Sequence, residues 1–131
     1  MSFEGRYIEC IGRRKTSVAR VRMYESSDGM EVNERMLKIY FPVVKLQELV
    51  EMPVKTSGAT RLGFSIRVEG GGIKGQAEAI RLGIARCLVK RNEDLRVTLK
   101  KEGFLSRDSR RRERKKFGKL SARRSPQWSK R

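Results

Sequence analysis

The sequence predicts an α+β fold: a small two-layer domain, with helices against one sheet, followed by a long extended basic C-terminal tail. Three observations carry that reading. Two segments alternate apolar and polar residues with the period of a half-buried strand. In one, Ala19, Val21 and Met23 oppose Arg20 and Arg22; in the other, Phe64, Ile66 and Val68 oppose Ser65, Arg67 and Glu69. A third segment repeats Ile73, Ala77, Ile80, Ile84, Cys87 and Leu88 at helical spacing, with Lys74, Arg81 and Lys90 off the stripe. Beyond residue 105 no apolar period persists.

The remaining elements follow in order. Residues 6–11 read as a weaker strand before the one at 16–24. Ser26-Ser27-Asp28-Gly29 supplies a hairpin turn, because Asp-Gly accommodates the positive φ that such turns need. Met30–Val32 is then a short returning strand. Asn33 is placed to cap a helical turn through Ile39. Pro42 opens a helix over residues 43–51, and Pro53 follows its end. Residues 55–63 are polar with two glycines and read as a loop. Small residues Ala79, Gly83 and Ala85 let the long helix approach a backbone closely, and Asn92 ends it. Residues 93–99 fit either a helix or a strand. The expected division is a globular domain over residues 1–100 and a basic tail over 101–131.

Charge narrows the partners. The 131 residues carry 32 Lys+Arg against 15 Asp+Glu, a net charge of +17. Such a surplus opposes compaction unless a polyanion neutralises it. Ten of the seventeen net charges fall after residue 105, where only Asp108 and Glu113 are acidic. No apolar run is long enough to span a bilayer and the start has no signal-like apolar region, so a cytoplasmic setting is expected. With no His, a Cys/His zinc site or a His-based triad is excluded. Cys10 and Cys87 fit either a disulfide or two buried reduced thiols, and their apolar neighbours favour the latter.

Gly70-x-Gly72-x-x-Gly75, after a strand and opening a helix, matches a dinucleotide-binding fingerprint. The chain is too short for paired mononucleotide-binding halves, and Glu93 and Asp94 precede any further strand, so no cofactor or small-molecule substrate is expected. The same glycines can hold an RNA phosphate at a positive helix end, with Lys74 adding charge, or form a purely structural turn. In Gly12-Arg13-Arg14-Lys15-Thr16-Ser17 the spaced upstream glycine of a phosphate loop is missing. Its three cations suit an RNA backbone better than a merely solvated turn. The tail run Arg107, Arg110, Arg111, Arg112, Arg114, Lys115, Lys116 and Lys119, continued by Arg123 and Arg124, is rich in Arg and interleaved with Phe104, Phe117 and Trp128. Arg forks and exposed rings suit phosphates and unstacked bases of folded RNA. Too few apolar residues punctuate the run for a membrane-surface helix. No catalytic constellation is present, and a free nucleic-acid chaperone or nucleoid protein is the alternative reading.

Several segments, in order, resemble one family. These are Gly12-Arg-Arg-Lys-Thr-Ser-Val-Ala-Arg-Val-Arg22, Val32-Asn33 with Tyr40-Phe41, Gly71-Gly72-Ile73-Lys74-Gly75-Gln76-Ala77, Gly103-Phe104-Leu105-Ser106-Arg107-Asp108, Glu113-Arg114-Lys115-Lys116-Phe117-Gly118, and Gln127-Trp128-Ser129-Lys130-Arg131. Together the chain is similar to the small-subunit ribosomal protein nine family, bacterial type. The resemblance implies a β-α-β domain with a left-handed crossover on the head of the small subunit, beside neighbouring ribosomal proteins. It implies ribosomal RNA contacts by Arg13, Arg14, Lys15, Gly71, Gly72, Lys74, Gly75, Gln76 and the tail cations named above. It also implies contact between Ser129, Lys130 and Arg131 and peptidyl-site transfer RNA. Glu78, where that family usually has a small residue, departs from the pattern.

Overall fold

The computed structural model describes every residue except Met1, Ser2, Glu4, Ser26 and Arg131. The expected turn at Ser26 and the terminal Arg131 therefore lie outside the described residues, the turn in part. Strand β1 (Tyr7–Arg14) pairs with β2 (Ser17–Tyr24), Arg14 standing opposite Ser17. After β3 (Gly29–Val32) and β4 (Arg35–Met36) come α1 (Leu37–Tyr40) and α2 (Val44–Ser57). Strand β5 (Gly63–Glu69), α3 (Ile73–Arg91) and α4 (Leu95–Lys101) complete the order.

The five strands lie in the order β1-β2-β5-β3-β4, antiparallel throughout except where β3 meets β5. The chain between those two parallel strands runs through β4, α1 and α2, a β-α-β unit. Alternation decides which face is covered: Ala19, Val21, Met23, Phe64, Ile66 and Val68 are buried, whereas Arg20 and Arg67 on the opposite face are exposed. Helix α3 packs across β1 and β2 and against α2, so the core lies in one layer between helices and sheet. The fold class is α+β, as the patterning indicates.

The approach of α3 to β1 is backbone against backbone. A Cβ at Gly12 would lie 1.9 Å from the Ala79 carbonyl oxygen and 2.6 Å from the Gly83 nitrogen. The small residues of α3 thus serve contact with a strand, and Gly12 is their counterpart. Cys87 of α3 is buried with its Sγ 3.6 Å from the carbonyl oxygens of Ile8 and Val21. Both cysteines are free thiols. Burial, followed by the neighbouring Cys10, pushes the Cys87 thiol up, which keeps it protonated and poorly nucleophilic.

Four local expectations are corrected. Strand β1 runs on through Gly12, Arg13 and Arg14, leaving Lys15-Thr16 as the turn, with Lys15 at φ 53°. Asn33 caps no helix; Asn33 and Glu34, at φ 48° and 64°, form the two-residue hairpin between β3 and β4. Positive φ at both central residues gives the turn a twist that matches the strands. Pro53 lies inside α2 and not beyond it, with its ring fully buried in the core. The helix instead stops at Gly58, whose left-handed φ of 63° lets its N–H reach the Lys55 carbonyl. The expected loop therefore shrinks to residues 59–62.

Of residues 93–99, Glu93 and Asp94 form a turn and the rest is helix, and α3 ends at Asn92 as expected. Helix α4 closes with a left-handed Gly103 at φ 76°. The Phe104 N–H bonds to the Leu99 carbonyl and the Gly103 N–H to that of Lys100, both at 3.0 Å. That pairing, with Leu99 and Phe104 buried together, is a Schellman cap. Residues 106–130 contain neither helix nor strand.

Candidate nucleic-acid interface

The candidate residues form three groups, the first two adjoining through Gly75, Ser17 and Arg14. The first is the glycine turn between β5 and α3. Gly70 and Gly71 adopt φ of 73° and 65°, and a Cβ on either would strike the Thr16 carbonyl oxygen at 2.6 Å or Ser17 Oγ at 2.1 Å. These two glycines answer to the fold. Gly72 does not, because it is extended and a Cβ there would meet nothing within 4 Å. Gly75 is buried against Ser17. Helix α3 has no side-chain cap, and its first internal bond runs from Gln76 N to the Gly72 carbonyl at 2.9 Å. The preceding amides of Ile73, Lys74 and Gly75 are thus left without intrahelical acceptors at a positive helix end, beside the exposed Lys74.

A hydrogen-bonded chain fixes that turn. Asn33 pairs with the Val68 backbone twice, donating at 3.0 Å and accepting at 3.0 Å, and its amide reaches the Tyr40 hydroxyl at 3.4 Å. Tyr40 donates to Gln76 Oε1 at 2.8 Å, and Gln76 Nε2 donates to the Gly70 carbonyl at 3.1 Å. Ser17 Oγ donates to the same carbonyl at 2.9 Å. Both ends of the Gln76 amide are therefore used within the chain, where it positions the glycines. Sequence reading assigned Asn33 and Tyr40 no part in this.

The second group is centred on Arg14, whose side chain is only 11% exposed. Its Nε lies 2.5 Å from Glu78 Oε2, its Nη2 lies 3.1 Å from Asp108 Oδ2, and its Nη1 donates to the Arg110 carbonyl at 2.7 Å. Every nitrogen of this guanidinium is committed inside the chain, so Arg14 acts as a latch on residues 108–110. The unusual Glu78 is the carboxylate that offsets its burial. Asp108 also accepts from the Arg110 backbone at 3.0 Å and from the Arg110 guanidinium at 2.7 Å. Those Arg110 bonds, with Arg14 adding attraction, hold the Asp108 carboxyl well below its ordinary value.

A carboxyl lowered in the folded state contributes above its unfolded pKa, near 4, and stops contributing only as pH falls through the lower folded value. The backbone amide resonance of Arg110 is therefore expected to hold its position from neutrality down to about pH 4. It should move, and sharpen with mobility, only in stronger acid. In Asp108→Asn the mobile signature should already be present at pH 7; a titration midpoint at the ordinary carboxylate value would show that the latch is not formed.

The third group is the cationic segment after residue 105. Arg107, Arg110, Arg111, Arg112, Arg114, Lys115, Lys116, Lys119, Arg123 and Arg124 are all exposed. Glu113 pairs with Lys116 and, at 2.9 Å, with Arg123. Among the described residues Arg107, Arg111, Arg112, Arg114, Lys115, Lys119, Arg124 and Lys130 take no carboxylate, Lys119 bonding to the Ser125 hydroxyl instead. Phe117 and Trp128 stand in solvent at 102% and 83% exposure, rings with no core to join. Ser129 and Lys130 are exposed as well, and Arg131 lies outside the described residues. Arg13, near the end of β1, and Lys15, in the β1–β2 turn, are exposed, and Arg13 shares a cleft with Arg14, Asp108 and Arg110.

Among the described residues no cluster of His, Cys, Asp or Glu could hold a metal, and no helix is long and apolar enough to cross a membrane. Comparison with known proteins accounts for the arrangement. The chain is 49% identical over 125 residues to a protein of Amoebophilus asiaticus named small ribosomal subunit protein uS9, covering 95% of this chain and 98% of that one. It is 47% identical over 132 residues to the protein of the same name from Lawsonia intracellularis, covering all of both. Residues 12–131 match the family described as ribosomal protein S9/S16. A cationic segment latched to a small α+β domain is thus the form this sequence gives to a known kind of protein, and the chain belongs to the ribosomal protein S9/S16 family.

Proposed function

We propose that this chain is a structural, non-catalytic constituent of the small ribosomal subunit in the cytoplasm, supporting translation. Its relatives carry that subunit in their names. In this reading the domain binds ribosomal RNA in the subunit head beside neighbouring ribosomal proteins. The segment after residue 105 is an arm threaded through that RNA, with Ser129, Lys130 and Arg131 against peptidyl-site transfer RNA. One observation carries the reading: the exposed cations of residues 106–130 outnumber their carboxylates while Arg14 holds the root of the segment in a fixed place. Arg–phosphate pairing and counterion release must offset the entropy lost on threading. Gly72, open on its outer side, and the α3 amides offer a phosphate seat on the domain itself.

Co-sedimentation at constant stoichiometry with small subunits in high salt tests the subunit assignment; dissociation would favour a free chaperone. The transfer RNA contact is tested separately by deleting Lys130 and Arg131. Assembly should be normal, while the slope of log affinity for peptidyl-site transfer RNA against log salt falls by roughly 0.7–0.9 for each lost phosphate contact. The loss should be alike for unrelated transfer RNAs, since phosphate contacts do not read bases. An unchanged slope in assembled subunits would remove the transfer RNA contact from this reading.

A further inference from the structure

Arg81 on α3 has no role in the groups above, yet its setting is unusual. Its guanidinium lies over the Phe104 ring, 5.5 Å from the centroid. Its Nε is buried and, among the described residues, has no hydrogen-bond partner. Buried donors normally find an acceptor, because leaving one unmade costs free energy. Arg81 also lines a cleft of about 190 Å³ with Arg13, Arg14, Glu78, Ser106, Asp108 and Arg110. Both carboxylates there are already spent, Glu78 on Arg14 and Asp108 on Arg14 and Arg110. Arg13 and Arg81 are left uncompensated, so the cleft holds a surplus of two positive charges.

We propose that this cleft binds one backbone phosphate of RNA, with Arg81 as its main ligand and Arg13 as a second cation. The proposal rests on the RNA-binding reading above and locates one contact within it. Stacking on Phe104 strips one face of the guanidinium of water and fixes its plane, so that a phosphate seated at its edge can accept from Nε and one terminal nitrogen together. Neighbouring ion pairs reduce solvent access, so an anion is attracted more strongly there than at an exposed lysine. The cleft adjoins the Arg14 latch, where the cationic segment leaves the domain. A phosphate held there would set the direction in which an RNA strand meets that segment.

The test uses the full chain and small-subunit ribosomal RNA in filter-binding titrations across a salt series. Arg81→Met should lower the magnitude of the salt slope by roughly 0.7–0.9, the value of one phosphate contact. Arg81→Lys should keep most of the slope and bind more weakly than the native chain, because an ammonium cannot form the fork. The free Arg81→Met chain should melt at or above the native temperature, since it loses an unpartnered buried donor. Should that variant fail to fold, Arg13→Gln, at an exposed strand position, carries the same slope test. An unchanged slope in a native-like variant overturns the proposal and leaves the RNA-binding reading intact, whereas a native chain that does not bind the RNA overturns both. A lower melting temperature with an unchanged slope would make Arg81 a prop for Phe104, against the proposal. Stabilisation of the native chain by millimolar inorganic phosphate, again with an unchanged slope, would make the cleft a small-anion site and equally overturn it.

Discussion

Truncation after Leu105 is expected to leave a domain that melts as one cooperative unit and to cost at least roughly 10³ in affinity for small-subunit RNA at physiological salt. The folded part should survive because its last core residue is Phe104 and its last helix is closed by the Leu99–Phe104 cap. Arg14 loses Asp108 but keeps Glu78, so its charge is not stranded. The affinity loss follows from the eight described cations that take no carboxylate. If each meets a phosphate, the salt slope should fall by about 6–7, using the increment of 0.7–0.9 per contact. Filter binding over a salt series, with thermal melting as the control for folding, reads both. Affinity within tenfold of the full chain would mean that the glycine turn and the β1–β2 turn carry the interface alone. In the free full-length chain, trypsin should remove this segment before it attacks the domain.

Gly12→Ala should destabilise the isolated chain by about 3 kcal/mol, the upper part of the range for overpacking. The added methyl points at the Ala79 carbonyl and the Gly83 nitrogen, and neither backbone group can rotate away. Relief requires α3 to lift from β1, which also moves Glu78 from Arg14 two residues beyond the substitution. Urea unfolding should show a lower midpoint, and the cationic segment should become mobile in parallel. Gly72→Ala is the contrasting case. It fills open space at an ordinary backbone conformation, so its stability cost should stay below about 1 kcal/mol, the scale of a lost helix cap. Any larger effect of that substitution on RNA binding would report contact with the ligand. If Gly12→Ala instead melts like the native chain, the close approach of α3 to β1 is wrong.

What could be read from the sequence divides along a physical line. The strands around Val21 and Ile66 and the stripe of α3 were legible because a single period of two or 3.6 repeats often enough to outweigh local exceptions. Pro53 misled because a proline within a helix usually breaks it, by about 3 kcal/mol; here its buried ring contributes to packing that no local rule can register. Asn33 and Glu34 lacked the Gly that advertises a primed turn, and only the pairing of Val32 with Arg35 makes both adopt positive φ. For the interface, composition located the cations but could not separate those that face solvent from one that is spent. Arg13 and Arg14 look alike in the sequence, yet one is exposed and the other is buried among Glu78, Asp108 and Arg110. Those partners are 64 residues away and more, beyond the range of any motif.

The Leu99–Phe104 cap makes the long-range contact of Arg14 depend on completion of the fold. Arg14 and Arg110 are 96 residues apart, but once Phe104 is seated only a short tether separates the partners. Loop-closure entropy for six residues instead of 96 is smaller by about 2.5 kcal/mol. The latch is therefore cheap in a chain whose core has formed and costly in one whose core has not. A newly made or damaged copy would carry the same cations, but with no preferred heading and at no fixed distance from the glycine turn. On the RNA-binding reading proposed above, the heading of the polycation is therefore set only in a chain whose core is complete.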